Sequence, residues 1–215
     1  MTYQISPSVR LRRQWLLMIS ALSVLSTGFS QSLSGDAIAT ALRAGGYVIV
    51  MRHASSPRSP PDAALANTDN TQRERQLDEV GRASARDMGE ALRRLGIPIG
   101  EVLSSPTYRA LETVRLARLG EAKTRPELGD SGANMEPQSD GKRGTWLRAR
   151  TAESPQPGLN TVIVTHYPNV MEAFPTSAAG LADGEALVFR PDGHGDASVV
   201  ARVKIEEWKG MRVVP

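Results

Sequence analysis

Cysteine is absent from all 215 residues. That excludes disulfide bonds, thiolate zinc sites and a thiol nucleophile. It also excludes a lipid anchor of the kind attached at a cysteine beside a signal-cleavage site. Internal repeats and low-complexity tracts are missing as well. The net charge is only +3, and Arg10, Arg12 and Arg13 are the only charged residues among the first 30. Without those three, basic and acidic side chains balance, so the remainder has no net pull toward nucleic acid. Histidine is scarce: His53, His166 and His194 are the three in the chain.

What is present fits one α/β domain. The length, with 40% hydrophobic residues, suffices for one real core and is marginal for two. Residues 1–30 read as a secretory signal, with residues 31–215 as the domain. Arg10 to Arg13 form a positive region and Trp15 to Phe29 an apolar stretch of suitable length. Gly28 and Ser30 suit cleavage before Gln31 or Ser32, and Arg12-Arg13 resembles a twin-arginine export signal. The expected location is the periplasm or outside the cell, with no membrane association after signal removal. The competing reading is a short N-terminal membrane anchor, for which the stretch is short and rich in serine.

Along the chain, short apolar runs alternate with helical periodicity. Asp36 to Ala44 reads as a helix ended by Gly45-Gly46. Tyr47 to Met51 is a continuous apolar run typical of a buried strand. Ser55 to Thr71 is polar, carries Pro57, Pro60 and Pro61, and reads as a long loop. Leu77, Val80, Ala83, Ala85, Met88, Ala91, Leu92 and Leu95 recur near helical spacing, giving a helix from about Asp78 to Leu95. Val102-Leu103 is a short strand. A helix from Thr107 to Leu119 follows, with Ser105 as its expected cap and Pro106 in its first position. Gly120 to Pro157 is least readable, with one short helix expected at Lys142 to Ala152. Asn160 to Thr165 is another buried strand. Glu185 to Phe189 and Ser198 to Val203, around a Pro191-Asp192-Gly193 turn, read as a closing hairpin. The expected fold is a three-layer α/β/α sandwich, its central sheet mostly parallel with a C-terminal antiparallel hairpin.

His53 and His166 each follow a predicted buried strand, and Arg109 lies one turn into the helix after a third. In an open α/β sheet, ligands bind beyond the carboxyl ends of the strands. Arg52, His53, Arg109 and His166 can therefore meet at one place, with a helix N-terminus aimed at it. Guanidinium groups, imidazoles and a helix N-terminus together make an anion site best matched to phosphate. Blander readings compete. Either histidine can be a structural imidazole, Arg109 can pair with Glu112 on its own helix, and Arg73-Glu74-Arg75 can be a solvated face. His194, in a glycine-rich turn, reads as a loop residue, and Trp146 and Trp208 as packing residues.

Met51-Arg52-His53-Ala54, Ser105-Pro106-Thr107-Tyr108-Arg109-Ala110 through Thr113, and Val164-Thr165-His166 resemble, in order, the three motifs of the histidine phosphatase superfamily, which includes the phosphoglycerate mutases. Gly45 to Val48, Glu74 to Arg82 and Gly184-Glu185 resemble small exported bacterial members more closely. The resemblance implies that His53 attacks phosphorus and becomes phosphohistidine, while Arg52, Arg109 and His166 hold the phosphoryl oxygens. Water then completes hydrolysis of a phosphomonoester, with no metal and no cofactor. Glu185 is favoured over Glu136 as the general acid, and Ser56, Arg75 and Asn169 are expected to touch substrate. The expected partner is a small phosphorylated molecule, conceivably a sugar phosphate of the cell envelope. Three alternatives stay open: a phosphomutase, a phosphate-binding or scaffold module without turnover, and a metal site on the two histidines. The last is opposed by the repulsion between a divalent cation and two arginines.

Overall fold

The computed structural model describes residues 1–2, 33, 35–130 and 141–214. Most of the segment read as a signal, and Glu136, lie outside the described residues.

The order of elements is α1 (Gly35–Arg43), β1 (Val48–Arg52), α2 (Glu79–Arg94), β2 (Ile99–Ser104), α3 (Tyr108–Ala117), β3 (Ala122–Thr124), α4 (Lys142–Ala152), β4 (Asn160–Thr165), α5 (Tyr167–Ala173), α6 (Pro175–Ala178), β5 (Ala186–Pro191) and β6 (Ala197–Val203). One sheet holds all six strands in the order β3-β2-β4-β1-β5-β6. The pairs β3–β2, β2–β4 and β4–β1 are parallel; β1–β5 and β5–β6 are antiparallel. The α/β sandwich and its C-terminal hairpin are thus as expected.

Side chains alternate across a strand, so each strand feeds two cores. Ile49 and Met51 of β1 join Ile38, Leu42, Met88, Leu92, Val114 and Trp208, beneath α1 to α3. Val48 and Val50 point the other way, joining Leu103, Leu128, Leu147, Val170 and Phe189 on the α4 to α6 side. This is why the central strands read as unbroken apolar runs rather than as alternation.

The helix boundaries follow local chemistry. Asp78 caps α2, its carboxylate accepting from the Gly81 N–H at 2.7 Å. Gly81 is required there, since a Cβ would lie 2.1 Å from the Ser55 carbonyl oxygen. Val80 and Ala83, counted in the apolar repeat of this helix, face solvent instead. Helix α3 begins at Tyr108 with Thr107 as its cap residue, so Ser105 and Pro106 precede the helix rather than start it. Strand β3 and helices α5 and α6 were not anticipated. They are three, seven and four residues long, too short to carry a periodic signal.

Candidate active site

Strand register brings the site together. Arg52 pairs with Thr165 across β1–β4, and Ser104 pairs with Val164 across β2–β4. The next residue in each chain segment leaves the sheet at the same end, so His53, His166 and Ser105 emerge side by side. Backbone bonds hold the exits: His53 N–H donates to Thr165 at 3.0 Å, and Ser105 N–H to Val164 at 2.9 Å.

At that end the two imidazoles meet edge to face, with centroids 5.2 Å apart. Both are buried, at 3% exposure for His53 and 2% for His166. Arg109 lies between them. Its Nε donates to His53 Nε2 at 3.1 Å, and its Nη2 to His166 Nδ1 at 3.2 Å. The outer nitrogens fix the tautomers. His53 Nδ1–H donates to the Ala54 carbonyl at 2.8 Å, leaving Nε2 as the unprotonated nitrogen that accepts from Arg109. His166 Nε2–H donates to Ser105 Oγ at 2.8 Å, leaving Nδ1 as acceptor. The backbone next to that carbonyl is itself held, because Ala54 N–H donates to Thr113 Oγ1 at 3.1 Å, and that hydroxyl donates to the Arg109 carbonyl.

Burial and positive charge keep both imidazoles neutral. The His53 pKa is lowered to about 3, first by burial and then by Arg109, Arg52 and Arg75, against the opposing Ala54 hydrogen bond. The His166 pKa is lowered to about 2, by burial and then chiefly by Arg109. Burial and Arg75 also lower that of Arg109, with Asp130 opposing.

A cleft of about 320 Å³ opens over this cluster, and Arg52, His53, Ser56, Arg75 and His166 are among its lining residues. Arg52 forms an ion pair with Asp183 at 2.5 Å, donates to the Leu181 carbonyl at 3.1 Å, and lies 5.8 Å over the Tyr167 ring. Of the residues singled out from sequence, His53, Arg52, Arg109, His166, Ser56 and Arg75 therefore share one place.

Two do not. Glu185 is buried away from the cleft, with both carboxylate oxygens on Arg202, at 2.6 and 2.9 Å, and one also on the Ala182 N–H. Burial raises its pKa, but the Arg202 pairing and the backbone bond outweigh that and leave it lowered. An ionised, doubly tied carboxylate cannot protonate a leaving group, so the expectation for Glu185 is corrected. Asn169 is equally committed: its amide donates to the Gly129 carbonyl at 2.8 Å and to Thr165 Oγ1 at 2.9 Å. It ties α5 to the sheet rather than reaching for substrate.

Other local expectations also shift. Arg109 pairs with Asp130, not with Glu112. Glu112 instead accepts from Leu77 N–H at 2.9 Å and Asn67 Nδ2 at 3.1 Å, anchoring the long loop to α3. Glu74 is no solvated residue. It accepts from Tyr108 N–H at 3.0 Å, filling part of the helix terminus expected to face the anion. Asp130 and Asp183, both lining the cleft, were missed. Asp130 falls in the stretch without periodicity. Asp183 stands two residues before Glu185, where the motif drew attention to the wrong carboxylate.

The family model of the histidine phosphatase superfamily (branch 1) matches residues 48–158, just over half the chain, including Arg52, His53 and Arg109. The chain belongs to the histidine phosphatase superfamily. His166 lies beyond the matched span and joins the family's site through the β4 register. Among solved structures, the protein histidine phosphatase SixA complexed with tungstate is similar at 20% identity and a TM-score of 0.54, covering 74% of this chain and 97% of its own. A putative phosphohistidine phosphatase SixA from Nakamurella multipartitia gives 18% identity and 0.51, with 74% and 95% covered. A mutant phosphoserine phosphatase from Entamoeba histolytica, in complex with phosphoserine, gives 12% identity and 0.51, with 75% and 98% covered. At such identities the likeness is one of fold. Comparison with curated protein sequences gives no match.

Proposed function

We propose that this chain hydrolyses a phosphomonoester through a phosphohistidine on His53. One observation carries the reading. His53 Nε2 presents an unprotonated lone pair, held by the Ala54 carbonyl behind it, in a cleft lined by Arg52 and His166 with Arg109 beneath. The lone pair forms the N–P bond as the bond from phosphorus to the leaving oxygen breaks. Water then attacks phosphorus, the N–P bond breaks, and inorganic phosphate departs. Arg52 and Arg109 neutralise the charge, so the scheme calls on no metal. His166 starts neutral, and a bound dianion favours its protonation, giving a third cationic contact. We assign the leaving-group proton to Asp130, the cleft carboxyl group that shares Arg109 with both imidazoles.

The N-terminal segment supports export, so the proposed location is the periplasm or the exterior. The proposed substrate is a small phosphorylated molecule such as an envelope sugar phosphate. A second reading, phosphate binding without turnover, is favoured by the Arg109 hydrogen bond that already occupies the Nε2 lone pair. One experiment separates the two: assay of the full chain on an aryl phosphate and an alkyl phosphate, with and without chelator, beside His53→Ala and Asp130→Asn. Chelator-resistant turnover that His53→Ala abolishes, with Asp130→Asn hurting the alkyl ester more, is the expected result. Phosphate binding with no turnover of either ester supports the second reading. Loss of turnover with chelator refutes the metal-free scheme.

A further inference from the structure

The cleft carries two guanidiniums that no carboxylate among the described residues offsets. Of its two carboxylates, Asp183 pairs with Arg52 and Asp130 with Arg109. Arg58 and Arg75 line the same cleft, and among the described residues neither forms an ion pair. Arg75 is nonetheless fixed. Its Nε donates to the Pro57 carbonyl at 2.6 Å and its Nη2 to the Ser56 carbonyl at 3.3 Å. These neutral acceptors orient the guanidinium without cancelling its charge. Arg58 follows Pro57 directly, so the loop that clamps Arg75 also presents Arg58 on the same rim. Ser56 Oγ donates to the Gln76 carbonyl at 2.9 Å, tying that loop to the backbone beside Arg75.

We propose that Arg58 and Arg75 form a second anion subsite, so that the substrate carries a carboxylate or second phosphate beside the phosphoryl group that is transferred. This rests on the phosphatase reading and names the class of substrate for that site. A fixed guanidinium with a second, exposed one beside it on a cleft rim can recognise planar or tetrahedral oxyanions through paired N–H donors. The field of Arg75 already reaches the bottom of the cleft, where it contributes to keeping both imidazoles neutral. A neutral sugar phosphate would leave both charges unmatched; an acidic one would satisfy them.

The test compares two phosphonates of equal length, 3-phosphonopropionate and propylphosphonate, titrated calorimetrically into the full chain. Neither can be hydrolysed, so binding is read apart from chemistry. The expected result is about tenfold tighter binding of the carboxylate-bearing probe, a preference that shrinks with added salt. Arg58→Gln and Arg75→Gln should each pull the ratio of the two affinities toward one. Equal affinity in the unaltered protein, with aryl phosphate turnover intact, would overturn the second subsite alone. Binding of neither probe, with no turnover, would overturn the subsite and the phosphatase reading together.

Discussion

His53 and His166 are neutral because charging either one would place a cation in a buried pocket already held by Arg109. The usual role of imidazole as a switch near neutral pH is thereby suppressed. A nucleophile that needs its lone pair gains from this: it stays competent in mild acid. With a pKa lowered to about 3, His53 should keep the nitrogen shifts of a neutral Nδ1–H imidazole down to about pH 4 in the ligand-free protein. An ¹⁵N NMR titration reads this directly. A His53 titration near the ordinary value of 6.5 would refute the account. Kinetics alone are less clean, since the substrate's own phosphate ionises in the same range.

At the scale of elements, the site depends on two joints, one behind the nucleophile and one beneath the long loop. Behind it, α3 supplies both Arg109 and, one turn later, Thr113, whose hydroxyl receives the Ala54 N–H at 3.1 Å. That spacing puts both side chains on one helix face, so the residue that contacts Nε2 and the one that steadies the Nδ1 acceptor move as a unit. Thr113→Val keeps the shape but leaves a buried N–H without a partner. It should cost about 1–3 kcal/mol in urea unfolding and lower kcat/KM by loosening the His53 tautomer. Unchanged stability and unchanged kcat/KM would show that this joint is not needed. The second joint, Glu112 with Leu77 and Asn67, explains how a proline-bearing loop remains docked over the cleft. Nothing in the loop's own composition announces that its partner is a glutamate on a distant helix.

For the whole molecule, the same depressed pKa values couple folding to pH. The unfolded chain takes up protons on both histidines as pH falls below 6.5, whereas the folded chain resists until about 3 for His53 and about 2 for His166. Between these limits the unfolded state binds more protons, so stability decreases as pH falls and recovers as it rises. Glu185 and Glu101, whose pKa values are lowered from 4.5, add their loss only at the lower end. The upper part of the window, from about pH 6.5 to 5, therefore belongs to the histidines. Denaturant midpoints should fall across it in the unaltered protein and fall less in His166→Asn. A flat profile from pH 7 to 5 would contradict the burial of two neutral imidazoles.

What the sequence alone determined is whatever depends on local order. Unbroken apolar runs placed β1 and β4, the 3.6-residue repeat placed α2, and two apolar runs around a turn placed the hairpin, since those patterns express which faces are buried. Short-range motifs located Arg52, His53, Arg109 and His166, each at a strand end or one helical turn beyond, where function gathers in α/β sheets. Tertiary structure alone decided which carboxylates face the cleft. Glu185 and Asp183 stand two residues apart, yet one is tied to Arg202 from the neighbouring strand and the other to Arg52 at the cleft. It also decided that Glu74 fills the α3 terminus and that Asn169 serves packing. Such assignments turn on which group of another element lies opposite, 17 residues away for Arg202 beside Glu185 and 34 for Tyr108 beside Glu74. A pattern confined to neighbours in sequence holds no record of that distance.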